Sequence, residues 1–296
     1  MEPASEVIAR LAACKTCGYH AGSPDASEPV ALSALALLAA DQQPRAVELL
    51  DWLIARQNAD GSLGIDAHHA TPGWPTGWAV VAWSAAQHGP AADPRYADAI
   101  RRAMSWVESV QGQILEHSAE LGHDTVIRGW PWVDGTHAWA EPTAMNLLAL
   151  KHSGRSDHPR AREAVRLLHD RLLPSGGANY GNTVVFGQEL RAHVQPTGLC
   201  LLALSGEVDP SGRTQKSLAF LSAAMNERTT TESLCYALVG LAAHHRTPVA
   251  ASELLAASTA RTLKRDPAAY KLALLALAAA GDKSPLMPRS REVASR

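Results

Sequence analysis

The sequence predicts an all-α fold in which six helix pairs close into an (α/α)6 toroid. Two observations predict it. A short phrase, a polar or aromatic residue followed by proline and small residues, recurs ahead of segments that are apolar nearly all round. Between those segments lie amphipathic, charged stretches of helical character, and no strand-rich stretch competes with them.

The apolar segments are the candidate inner helices. The phrase reads Glu28-Pro29-Val30-Ala31 before LSALALLAA, then Trp74-Pro75-Thr76-Gly77 before WAVVAW. It returns as Glu141-Pro142-Thr143-Ala144 before MNLLAL and Gln195-Pro196-Thr197-Gly198 before LCLLAL. Asp266-Pro267-Ala268-Ala269 opens YKLALLALAAAG, and a proline-free copy, Thr231-Glu232-Ser233-Leu234, opens CYALVGLAA. Proline suits a first helical position, where its missing N–H would be unpaired anyway. Segments apolar on every face read as buried helices, and their Leu/Ala content favours helix over strand. The uneven spacing of the copies fits helix pairs with loop insertions.

The outer helices are expected at 6–14, 45–57, 94–112, 159–172, 212–226 and 248–264, each with arginines or acids on one face and Leu, Val or Trp on the other. The toroid domain is drawn at 1–281, with 282–296 as a loose polar tail.

In such a ring the inner-helix starts converge on one opening, so the functional site is expected there. The residue before each proline is read as the N-cap. Glu28, Trp74, Glu141 and Gln195 are unusual caps, where Ser, Thr, Asp or Asn is the rule. The longest connection, 113–140, holds Trp130, Trp132 and Trp139 together with His117, His123, Asp124, Arg128, Asp134 and His137. A long loop rich in tryptophan inside a compact domain reads as functional or as a lid. The loop 179–195 adds Asn179, Tyr180, Asn182, Gln188, Arg191 and His193. The site expected from these patterns has Glu141, His137 and Asp134 as catalytic groups. Trp74, Arg128, Trp130, Trp132, Trp139, Tyr180, Arg191, His193 and Gln195 are expected to bind substrate.

Composition narrows the classes. The chain has 27 basic and 29 acidic residues and no dense Lys/Arg block ahead of the tail, which argues against nucleic acid. No apolar run reaches the roughly 18 residues of a membrane span, and the N-terminus lacks a secretory pattern. Four cysteines make no disulfide framework, so a cytoplasmic location is expected. Cys14-Lys15-Thr16-Cys17 with His20 has the spacing of half a zinc site, with His68 or His69 to complete it, but no second C-x-x-C follows. Neither a metal nor another cofactor is expected.

The stretch AVELLDWLIARQNADGSLG, through Gln57, Asp60, Gly61, Ser62 and Gly64, resembles the prenyltransferase and squalene-cyclase (squalene-oxidase) repeat, in a degenerate, single-domain form. LPSGGANYG resembles a second copy. The resemblance implies the toroid and, as an activity, acid-initiated cyclisation or isomerisation of an isoprenoid. Against the class II cyclase acid motif, Trp139-Ala140-Glu141-Pro142-Thr143-Ala144 keeps Thr-Ala and places Glu141 where the proton donor stands. The first and last Asp of that motif are absent. The zinc ligands of the protein-prenyltransferase branch are not matched either, because Leu199 and Leu234 precede Cys200 and Cys235 inside apolar helices. Two alternatives stand beside the cyclase. One is a polysaccharide lyase or hydrolase using the His, Tyr, Arg and Asn of 179–195. The other is a non-catalytic toroid that binds a ligand or a partner. A small hydrophobic substrate is expected, with a second copy of the chain or an operon partner as the macromolecular option.

Overall fold

Among the residues that the computed structural model describes, 3–118 and 120–288, outer and inner α-helices alternate along the whole chain. The inner set is α2 (Ser27–Ala39), α4 (Pro75–Gln87), α6 (Ala140–His152), α8 (Val194–Ala203), α10 (Thr231–Ala242) and α12 (Ala269–Ala279). The outer set is α1 (Pro3–Ala12), α3 (Gln43–Ala55), α5 (Pro94–Ser109), α7 (Pro159–Arg171), α9 (Arg213–Ala224) and α11 (Ala251–Arg265). Each inner helix packs on the next, and α12 packs back on α2, so the ring is closed. The first outer helix, α1, seals the seam by lying against α12 and α2. This is the (α/α)6 toroid.

Burial follows the sequence pattern. Every residue of α6 is buried, as an apolar helix in the middle of a ring requires. The outer α5 buries only Tyr96, Ala99, Ala103, Met104 and Val107, a single stripe at helical spacing. The ring has no open bore at its centre: Trp78 of α4 and Tyr236 of α10 are both essentially fully buried. Gly198 and Gly240 let α8 and α10 approach until a Cβ on Gly198 would stand 2.5 Å from the Tyr236 backbone.

The structure moves the caps. Glu28, Glu141 and Gln195 are the second residues of α2, α6 and α8, and Ala26, Trp139 and His193 are the N-caps. Trp74 does cap α4. Pro29, Pro142 and Pro196 are third residues. That is allowed because no N–H of the first turn has an intrahelical acceptor and no carbonyl lies a turn behind to clash. Asp266 ends α11 and does not open α12, whose N-cap is Ala268.

The Pro-Thr step has a structural role in three repeats. The hydroxyls of Thr76, Thr143 and Thr197 accept the backbone N–H of Leu63 (2.8 Å), Trp130 (3.0 Å) and Ala178 (2.8 Å), tying each incoming loop to its inner helix. The Thr-Ala match to the cyclase acid motif is therefore explained by packing. The Asp-Gly-Ser stretch is also architecture. Ser62 donates N–H and hydroxyl to Asp60, and the Gln57 amide donates to the carbonyls of Gly61 and Ala99. Gly61, at φ +92°, lies so close to Arg102 of α5 that a Cβ would stand 2.2 Å from its carbonyl oxygen. Only glycine fits there.

At the opposite end the inner helices finish. The buried Lys151 ammonium donates to the carbonyls of Ala203 (2.8 Å) and Ser205 (2.9 Å) and pairs with Glu207 (2.8 Å), serving the open C-terminus of α8. The segment 282–288, expected to be loose, is packed here, with Leu286 fully buried. Residues 289–296 of the expected tail lie outside the described residues. No described helix is long and apolar enough to cross a membrane.

Candidate active site at the mouth of the toroid

The loops that lead into the inner helices meet at one end. Ser27 N–H donates to Ile65, and Ala140 N–H donates to Tyr180. A two-residue hairpin, β1 (Val184–Val185) with β2 (Gln188–Glu189), stands in the loop before α8. These contacts hold the first turns of the inner helices side by side around the opening.

Two carboxyl groups enter it from α2 and α6. Glu28 is 5% exposed and Glu141 is 4% exposed. Glu28 Oε2 accepts the Tyr19 hydroxyl (2.9 Å) and the Trp74 indole N–H (3.1 Å), and its Oε1 accepts the Tyr270 hydroxyl at 3.5 Å. The Trp78 indole N–H also favours the Glu28 anion, from beyond ordinary hydrogen-bond length. Glu141 Oε1 accepts one donor, the Gln195 amide, at 3.2 Å. Burial raises both carboxyls, and Glu141 is pushed up to about 7, mainly by burial, with the Gln195 amide pulling it down and the charge of Glu28 adding a smaller push upward. Four neutral donors favour the anion at Glu28 and one does so at Glu141. Glu141 is therefore the better proton holder and Glu28 the better anion.

The walls are aromatic. Trp74 meets Trp132 edge-to-face at 4.9 Å, and Tyr19 meets Tyr270 at 5.1 Å. Trp78 and Tyr236 form the floor; the Trp78 Nε1 and Tyr236 Oη atoms are buried with no partner at ordinary hydrogen-bond length, and their neighbours are Glu28 and the Tyr270 hydroxyl respectively. Burial first, and then the charges of Glu28 and Glu141, hold the Tyr236 hydroxyl well above the usual phenol range, against the pull of Tyr270.

Of the expected site residues, the structure brings Glu141, Gln195, Trp74 and Trp132 to this mouth. Asp134 and His137 are elsewhere. The Asp134 carboxylate accepts the N–H of Gly135 in its own exposed turn. His137 stacks on Trp139 (4.7 Å) and faces a separate cavity of about 210 Å³, with His123, Arg171 and Asn182. Burial and the Arg171 charge lower His123 there to about 4. Arg128 is exposed and donates to Gln111. Trp130 is a core residue whose indole donates to Val107 under the Arg160 guanidinium. Tyr180 packs on His193 at 5.0 Å, on the rim, and Arg191 is exposed with its carbonyl taken by Asn179.

Cys14 donates its thiol to the Arg10 carbonyl, and the Cys17 thiol is raised to about 11, mainly by burial. His20 turns to Asp266. Among the described residues no three of His, Cys, Asp and Glu come together as a metal would need.

Glu28, Tyr19, Trp78, Tyr236 and Tyr270 are missing from the expected set. Glu28 was visible as the twin of Glu141, since both stand before a third-position proline. The tyrosines follow no repeated phrase and gather only once the ring closes.

No protein-family profile and no curated sequence matches the chain. Solved structures do resemble it. One is an inactive variant of the α-1,6-mannanase GH76A of Salegentibacter sp. HEL1_6, in complex with α-1,6-mannotriose: TM-score 0.63, 13% identity, 96% of this chain and 99% of that one. Another is a variant of Rex8A from Paenibacillus barcinonensis with bound xylose: TM-score 0.59, 10% identity, 97% and 95% covered. A third is a reducing end xylose-releasing exo-oligoxylanase: TM-score 0.55, 11% identity, 90% and 83% covered. At such identities the likeness establishes the toroid fold and nothing finer.

Proposed function

We propose that the protein is a glycoside hydrolase acting at the mouth, with Glu141 as general acid and Glu28 as the partnering carboxylate. The observation that carries this reading is the inequality of the two buried carboxyls. Glycoside hydrolysis uses one carboxyl that holds its proton near neutral pH and a second that stays ionised. Here Glu141 sits near 7 with one hydrogen-bond donor, and Glu28 is held by Tyr19, Trp74 and Tyr270. Glu141 would protonate the glycosidic oxygen, and Glu28 would activate water or stabilise the sugar cation. The Trp74–Trp132 pair offers a face on which a pyranose can stack. The sugar ligands of the similar toroids support the same substrate class.

The test is hydrolysis of α-1,6-manno-, xylo- and glucosamine oligosaccharides followed by reducing-end release. Glu141→Gln should lower kcat by about 10²–10⁴-fold, the range of a general acid. If no sugar polymer in that panel is cut, or Glu141→Gln cuts as fast as the native protein, the reading fails.

The isoprenoid reading retains one observation. A proton-bearing Glu141 above a Trp78–Tyr236 floor also suits a carbocation, which aromatic faces attract by roughly 0.5–2 kcal/mol per contact. Cyclised product from squalene or geranylgeranyl diphosphate would favour it, and unreacted polyene would remove it.

A further inference from the structure

We propose that the cavity between the 113–138 loop and residues 181–182 binds a small organic acid, whose carboxylate sits against Arg171, His123 and His137. The site is separate from the mouth and does not depend on the reaction performed there.

Its walls are built by backbone pairing. Within the 113–138 loop, Gln113 N–H donates to Thr136 (2.8 Å) and Leu115 N–H to Thr125 (3.2 Å). Gly122 N–H reaches Val184 (2.8 Å) in the loop before α8. The space enclosed is about 210 Å³, several times the roughly 30 Å³ share of one water. His123 and Arg171 are its buried members, 7% and 4% exposed, while His137 stands exposed at the rim beside the half-buried Asn182.

Two unpartnered nitrogens point to a ligand. His123 Nδ1 and Arg171 Nε are both buried with no hydrogen-bond partner, although their side chains line an open space. The rest of the Arg171 guanidinium is engaged: Nη1 bonds Asp170, and Nη1 and Nη2 donate to the Asp124 carbonyl at 3.2 Å. A buried donor left unmatched is costly, and a ligand that accepts from it removes the cost.

Charge decides the kind of ligand. Among the described residues no Asp or Glu lines the cavity. The charged and titratable groups that act on His123 are Arg171 and Asp170 of α7 and His137 and Asp124 of the loop. Arg171 acts more strongly than its partner Asp170, so the ring lies in a positive field, and burial with that charge brings His123 down to about 4. A carboxylate accepts from guanidinium, imidazole and amide N–H groups together and offsets that field. Leu115, Leu121 and Ile127 supply an apolar side for the body of the acid. A bound anion favours protonated His123, so binding should raise that titration and take up protons as pH falls toward 5.

Carboxylates are carried by acidic sugars and by simple organic acids, and four probes separate these sources. They are glucuronate, glucose, propanoate and propanamide, titrated calorimetrically into the full chain at pH 6 in a buffer free of carboxylate and phosphate. At least one acid should bind about tenfold or more tightly than its neutral counterpart. Its binding should move the His123 titration, followed by NMR of the ring, upward by about one unit or more. His123→Leu should weaken the acid about tenfold in a protein of unchanged circular dichroism, and the NMR titration tests the same point on the native chain. Glu141→Gln should leave the acid's affinity unchanged, which separates this site from the mouth. A preference for glucuronate alone identifies an acidic sugar, and a preference for propanoate alone identifies a simple acid. Equal binding of acids and neutral probes, binding of neither acid, or acid binding that leaves the His123 titration in place overturns the proposal.

Discussion

Trp78 of α4 and Tyr236 of α10, from opposite sides of the ring, stack with centroids 6.4 Å apart and planes 28° apart. They fill the centre of the toroid below its mouth. Trp78→Ala should cost about 3–5 kcal/mol, the usual range for an emptied aromatic site in a core. Tyr236→Phe removes a buried hydroxyl whose neighbour, Tyr270, lies beyond ordinary hydrogen-bond length, so its stability should change by less than about 1 kcal/mol. Urea denaturation of the two variants checks the pair. A large loss in Tyr236→Phe would mean that the hydroxyl is satisfied by something tightly held.

Gly198 and Gly240 set the distance between α8 and α10. A Cβ on Gly240 would stand 2.4 Å from the Gly198 carbonyl oxygen, closer than real atoms approach. Gly240→Ala should gain a few tenths of a kcal/mol or more from helix propensity and lose more to the forced separation, for a net loss of about 1–3 kcal/mol. Because Tyr236 sits on the displaced wall, thermal denaturation should report the loss and activity should fall further than stability predicts.

At the far end Lys151 is 5% exposed and holds two carbonyls and Glu207. Lys151→Met keeps most of the stem's packing but leaves those acceptors without their donor. Removing one partner of a buried ion pair typically costs about 3–5 kcal/mol. The midpoint of chemical denaturation should drop accordingly.

The architecture was legible because it depends on short-range pattern. Apolar segments such as LSALALLAA and the stripe of α5 announce inner and outer helices by themselves. The position of Glu141 at the mouth was legible for the same reason. Its partners were not. Asp134 and His137 are near it in sequence, but a loop of this length carries them to a turn and to a neighbouring cavity. Tyr19, Tyr236 and Tyr270 come from the loop after α1, from α10 and from α12, and only ring closure brings them to Glu28. The Thr that follows three of the prolines misled in the other direction: Thr143 resembles part of an acid motif, but its hydroxyl, like those of Thr76 and Thr197, holds a loop N–H.

The raised Glu141 carboxyl makes stability depend on pH, and the sign follows from linkage. Its pKa in the fold, about 7, lies above its ordinary value of 4.5, so the native state binds the proton more tightly than the unfolded chain does. The stabilising protonation is fully present below pH 4.5 and is lost as pH rises to 7, because above that the fold must keep a buried anion. Over this window the native protein should lose on the order of 3 kcal/mol from Glu141 alone, at about 1.4 kcal/mol per pH unit. Glu28 is raised as well and adds in the same direction. Glu141→Gln is neutral at every pH and keeps the amide of Gln195 within reach of an oxygen, so its stability should be flatter between pH 4.5 and 7 and higher than the native value at pH 8. Denaturation curves for both proteins at pH 5 and pH 8 measure the difference directly. If the native protein and Glu141→Gln change in parallel, Glu141 is ionised throughout that range. It would then be no reservoir of the proton that a general acid must deliver.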